Sequence, residues 1–111
     1  MWTQLKGDVW YADLGKAFGS EQGGVRPVVI ISGNRWNASS TMRTVIPLTS
    51  KPKNNQSTHA PISADWLPER SVALAEQIRS ITYTRFKEYI GTISNEQISA
   101  IEKVLFISLD I

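Results

Sequence analysis

The sequence predicts a mainly β domain, a small barrel or sandwich, closed by one C-terminal α-helix. Three observations carry that prediction. Short β-branched or aromatic runs recur between turn residues. The hydrophobic period turns helical only near the end, where Ile98, Ile101 and Leu105 share a face. Ser94, with Gln97 three residues later, makes a capping box that starts this helix.

The elements follow in order. Val9–Ala12 reads as the first strand, opened by Gly7-Asp8 and closed by Asp13-Leu14-Gly15. Val28–Ile31 is an unbroken β-branched run, as a strand covered on both faces requires. Ser32-Gly33-Asn34 signals a turn, and the polar stretch Asn37–Thr41 continues the loop. Thr44–Thr49 is a third strand, and Pro47 inside it argues for an edge or a bulge. Ser50–Thr58 has no apolar residue except proline and reads as an exposed, mobile loop. A short strand spans His59–Ile62, a longer one Ser71–Ile81, and a last one Tyr89–Ile93.

A chain of 111 residues predicts one domain over 1–111, with room for one modest core. Its 41% apolar and 20% charged residues belong to a folded chain and not a disordered one. A net charge of +2 tolerates an anionic partner without demanding one, so a nucleic-acid site must come from local clustering of cations. There is no cysteine, which removes disulfides, thiol nucleophiles and thiolate metal sites. The single histidine, His59, rules out a zinc site built from histidines, and neither metal nor cofactor is expected. No basic segment leads into an apolar stretch at the N-terminus, and no run approaches the ~20 apolar residues of a membrane span. The expected location is cytoplasmic.

The chemistry concentrates in Gly19-Ser20-Glu21-Gln22-Gly23-Gly24-Val25-Arg26-Pro27. The glycines permit a ligand to approach the main chain, with Gly24 next to the strand. Arg26 precedes a proline, which pushes it toward an extended conformation at the mouth of a buried strand. A guanidinium held there suits phosphate or carboxylate. Thr49 taken alone reads as a plain β-branched strand residue, and its place before Lys51 and Lys53 adds weight to a second role, a hydroxyl donor to the same anion. Glu76 and Arg79 either pair with each other or serve a ligand. On a regular strand Glu76 and Gln77 point to opposite faces, so at most one of them faces the ligand without a bulge; an amide such as Gln77 suits a base edge. His59, after a polar loop, is expected to be exposed and inert. Trp10, Trp36 and Trp66 are expected in core or interface, Trp36 being the exception to watch because it shares a polar loop with Arg35.

In order along the chain, Gly7-Asp8-Val9-Trp10, Gly19–Pro27, Ile46-Pro47-Leu48-Thr49-Ser50 and Ala75-Glu76-Gln77-Ile78-Arg79-Ser80-Ile81 resemble the MazF/PemK toxin family. The resemblance implies a compact SH3-like barrel that forms a homodimer. It implies a metal-independent, sequence-specific endoribonuclease acting on single-stranded RNA, and a toxin held silent by an antitoxin. The family's catalytic arginine and threonine fall on Arg26 and Thr49. The candidate RNA-binding set is Ser20, Glu21, Gln22 and Gly24 in the first loop, Lys51 and Lys53 in the second, and Gln77. The loops Asn34–Thr41 and Ser50–Thr58 depart from the family pattern and leave the recognised RNA sequence open. A MazE-like antitoxin is expected to carry an acidic, partly disordered segment that covers Arg26 and Lys51. The alternative is a toxin of the same fold that binds and poisons DNA gyrase, as the CcdB family does with a tryptophan near its C-terminus. This chain ends Ser108-Leu109-Asp110-Ile111 without one. A plain RNA-binding barrel without activity is the third reading.

Overall fold

The computed structural model describes residues 4–52 and 57–111. Seven strands and two helices follow one another: β1 (Asp8–Asp13), β2 (Val25–Ile30), α1 (Asn34–Ser39), β3 (Met42–Thr49), β4 (His59–Ile62), β5 (Ser71–Leu74), β6 (Arg79–Thr82), β7 (Phe86–Thr92) and α2 (Asn95–Leu109). The antiparallel sheet runs β4-β5-β3-β2-β1-β7, and β6 adds to β3. The sheet is barrel-like, but among the described residues its hydrogen bonding does not close.

Strand alternation divides the core in two. Val9, Val29, Ile46, Leu48, Ile62 and Ile101 pack together under α2. Val28, Ile30, Val45, Ile81 and Phe86 pack on the opposite face with Trp10. The expected double coverage of Val28–Ile31 is therefore present, with all four residues buried. The expected terminal helix is α2, and its capping box is complete: Ser94 Oγ accepts from the Gln97 amide at 3.2 Å, and Gln97 Oε1 from the Ser94 amide at 3.4 Å. Lys6 donates to Glu102 at 2.7 Å and ties the N-terminal segment to this helix.

The Gly7-Asp8 pair has a structural task. The Gly7 amide donates to Ile30 O at 2.8 Å, and Gly7 O accepts from Ile93 at 3.0 Å, at a backbone φ of 89°. The buried Asp8 carboxylate accepts from the Leu5 amide and from the Thr92 hydroxyl. Arg43 is also structural. It is wholly buried, and its guanidinium donates to the carbonyls of Gln4, Ser40 and Met42. Burial lowers its pKa below the usual arginine value.

Three expectations are corrected. The polar stretch after Gly33 is not all loop, because α1 occupies Asn34–Ser39. It carries no apolar period that periodicity could detect. Its only buried residue is Asn37, whose Nδ2 donates to Ser32 O at 3.0 Å and whose Oδ1 accepts from Ser32 Oγ at 2.6 Å. Ser71–Ile81 is not one strand, because a 3-10 turn at Ala75–Gln77 separates β5 from β6. Pro47 lies neither at an edge nor in a bulge but in β3, the strand with the most partners. The Ile31 amide donates to Thr44 O, so hydrogen-bonded pairs fall at Ile31–Thr44 and Val29–Ile46. At Val28–Pro47 the backbone groups therefore face away from β2. Pairing with β6 ends at Val45 and pairing with β5 begins at Leu48, so the proline nitrogen meets the gap between them.

Trp66 lies over Gly91 of β7, and a Cβ there would run into the indole ring. Gly91→Ala should destabilise the protein by about 1–3 kcal/mol through overpacking. Urea unfolding will show this as a lowered midpoint with an unchanged slope.

Candidate functional site: a cation-lined cleft beside a clamped loop

One cleft of about 1030 Å³ opens on the face of the sheet that carries Val28 and Val45. Its position follows from one backbone group. By the alternation above, the next hydrogen-bonded pair of β2 and β3 would be Pro27–Leu48. Pro27 has no N–H, and the pairing stops at Val28–Pro47. Two register steps past that end, the same alignment continued would set Arg26 across from Thr49. Both side chains line the cleft.

Arg26 is exposed, and its Nε donates to Gly23 O at 3.1 Å. Its two terminal nitrogens have no partner among the described residues, which leaves a fork of donors for an anion. Thr49 is only 9% exposed, and its hydroxyl oxygen accepts from the Lys51 amide at 3.2 Å. That bond uses a lone pair and leaves the hydroxyl hydrogen for a ligand. Lys51 lines the same cleft, whereas Lys53 lies outside the described residues.

The Gly19–Gly24 loop is tied at several points. The Leu14 amide donates to Gly24 O at 2.9 Å and the Gly24 amide to Gly15 O at 2.7 Å. Gly24 takes a φ of 73°, so its glycine is required by backbone geometry. From across the cleft, Gln77 Oε1 accepts from the Gln22 amide at 2.7 Å, and Gln77 Nε2 donates to Ser20 O at 3.0 Å. The side chain expected at a base edge thus clamps the loop that leads to Arg26. Gln22 Oε1 is buried and has no partner among the described residues, leaving an acceptor at the cleft. Ser20 and Glu21 line the cleft beside it.

Glu76 and Gln77 both line the cleft, contrary to the strand expectation, because the 3-10 turn abolishes two-residue alternation. Glu76 does not pair with Arg79. It accepts from Thr58 Oγ1 at 2.8 Å and lies 3.1 Å from His59 Nε2. Arg79 instead donates to Leu14 O at 3.3 Å. The His59 side chain is not exposed either; it is 8% accessible and turned toward the cleft. A strand start after a polar loop carries no signal of that burial, which comes from the turn bearing Glu76. Sequence reasoning missed Phe18, Lys16 and Arg85, which also line the cleft. The pairing of Lys16 with an aromatic two residues on was the available signal for the first two. Among the described residues, no three His, Asp or Glu side chains assemble as a metal site would need, and no helix is long and apolar enough to cross a membrane.

A small open β-sheet with two helices carries, beyond the end of the β2–β3 pairing, a cleft whose lining cations suit an anion such as phosphate. Comparison with known proteins agrees and is more specific. Residues 5–109 match the model of the PemK-like, MazF-like toxins of type II toxin–antitoxin systems, and the chain belongs to that family. It is 38% identical over 107 residues to endoribonuclease EndoA of Bacillus subtilis (strain 168), covering 94% of this chain and 92% of the relative. Its fold is similar to MazF of Deinococcus radiodurans (TM-score 0.83, 22% identity, 96% of each chain covered). It is also similar to a mycobacterial endoribonuclease in complex with its cognate antitoxin (TM-score 0.81, 21% identity, covering 96% of this chain and 95% of that one).

Gln77→Ala should free the Gln22 amide. Hydrogen exchange at Gln22 should accelerate by about 3- to 10-fold, as the loss of one net hydrogen bond implies, while exchange in the β2–β3 ladder stays unchanged.

Proposed function

We propose that the protein is the toxin of a type II toxin–antitoxin pair, a metal-independent, sequence-specific endoribonuclease that cuts single-stranded RNA. The observation that carries this is the Arg26–Thr49 pair at the end of the β2–β3 ladder, with free donors on both side chains. In the reaction the 2′-OH attacks the adjacent phosphorus, the bond to the 5′-oxygen breaks, and the 2′-proton is balanced by one gained at that oxygen. The products are a 2′,3′-cyclic phosphate and a 5′-OH end. DNA lacks the nucleophile and is not cut. The task of Arg26 is charge: its guanidinium fork stabilises the non-bridging oxygens as negative charge develops on them. Thr49 donates its hydroxyl hydrogen to the same phosphate.

Lys51 draws the RNA backbone into the cleft. Glu21 and the open Gln22 Oε1 are acceptors suited to amino groups on base edges, and so bear on sequence choice. We further propose that an antitoxin with an acidic, partly disordered segment silences the protein by ordering across the Arg26 and Lys51 side of the cleft. The protein acts as a cytoplasmic homodimer, to which the exposed Phe106, Ile107 and Leu109 at the end of α2 offer apolar surface.

Purified protein in excess EDTA should convert a long RNA into discrete fragments bearing 5′-OH ends. Arg26→Ala should lower the cleavage rate by about 10²–10³. Thr49→Val, which keeps shape and loses the hydroxyl, should lower it by about 10- to 100-fold. No cleavage by the wild-type protein, together with inhibition of gyrase, would replace this function with a non-enzymatic one. RNA affinity should fall with salt by a shallow log–log slope, about −0.7 for each phosphate neutralised, measured by titration from 50 to 200 mM salt.

A further inference from the structure

Phe18 stands at the lip of the cleft and is 66% exposed. Single exposed apolar residues are ordinary on a surface. This one differs in how its backbone is held. Glu21 N donates to Phe18 O at 3.0 Å and closes a turn through Gly19, whose φ is 57°. On the other side, Ala17 packs against Gly23 so closely that a Cβ there would lie 2.6 Å from the Ala17 nitrogen. The ring is therefore carried on a tied segment of the same loop that leads to Arg26. Lys16 Nζ sits 5.7 Å from the ring centroid. A cation near one ring face polarises the aromatic system and places a phosphate-seeking charge beside it, while the rest of the ring stays open to solvent.

An aromatic face, a neighbouring ammonium and an adjacent anion-binding fork form the combination that receives an unpaired nucleotide: base on the ring, phosphate on the cations. We propose that Phe18 is a stacking platform for one unpaired nucleobase flanking the scissile phosphate, with Lys16 holding the phosphate of that nucleotide. The proposal rests on the RNA-cleaving reading above and adds a binding subsite to it. Stacking accepts any base, so this subsite contributes affinity and register, and leaves sequence choice to the polar groups of the loop.

The experiment begins by mapping a cut site in a long RNA with the wild-type protein. Oligonucleotides spanning that site are then made with one abasic nucleotide at each position in turn. Phe18→Ala should raise KM about 5- to 100-fold, with kcat within twofold and the cut site unchanged. Phe18→Tyr should keep wild-type KM, whereas Phe18→Leu, apolar but without a π face, should behave like the alanine variant. At one position the abasic substrate should raise KM for the wild type but not for Phe18→Ala. If every abasic position costs both proteins equally, or if KM is the same in all four proteins, the platform is overturned while the ribonuclease stands. If Phe18→Ala weakens inhibition by an acidic antitoxin peptide and leaves RNA kinetics alone, the residue belongs to a protein interface and the proposal fails. Absence of both cleavage and oligonucleotide binding by the wild type would overturn the proposal and the ribonuclease together.

Discussion

The missing N–H of Pro27 is the constraint from which the cleft follows. The β2–β3 pairing stops at Val28–Pro47, next to the position where Pro27 has no donor to give, and Arg26 and Thr49 lie two steps beyond it. The proline ends the ladder one step early. The two strands carry opposite polar side chains past the last hydrogen bond, and the space between them is the start of the site. Pro47, directly across from Val28, obeys the same logic with the other side of β3. Its nitrogen faces the break between β5 and β6, where no strand asks for a donor. Two prolines in neighbouring strands thus mark where hydrogen bonding between strands stops beside the cleft.

Two arginines show how environment divides one residue type between tasks. Arg43 is enclosed, its guanidinium spent on backbone carbonyls, and its substitution would leave those carbonyls and the surrounding space unfilled. Arg26 commits only Nε to its own loop and leaves its terminal nitrogens at the cleft. Orientation of that fork depends on Gly23 O, and the loop carrying Gly23 depends on Gln77 across the cleft. The charge is local to one residue, but its direction is set by a side chain more than fifty positions away in sequence.

Much of the fold was legible because it rests on local regularities. The β-branched run at Val28–Ile31 signals a strand buried on both faces, and the spacing of Ile98, Ile101 and Leu105 signals a helix with one buried side. Ser94 and Gln97 make contacts three residues apart, so the cap is written in adjacent sequence. What escaped reading had no such local period. Helix α1 is held by Asn37 bonding back to Ser32, a polar substitute for a hydrophobic face. The break at Ala75–Gln77 interrupts a stretch whose composition is that of a strand throughout. The exposed His59 that its polar flank implies is instead enclosed by the turn that brings Glu76 to it.

By itself the sequence determined the mainly β class, the closing helix, the absence of thiol chemistry and the arginine-bearing loop before a buried strand. Each of these depends on residue type and short-range spacing. Only the tertiary structure decided that Arg26 and Thr49 line one cleft, that Gln77 holds the loop leading to Arg26, that Glu76 joins His59 and not Arg79, and that Phe18 stands at the cleft lip. These relations are contacts between segments far apart in the chain. They are fixed by strand register and by the points where the ladders stop, which no local pattern encodes.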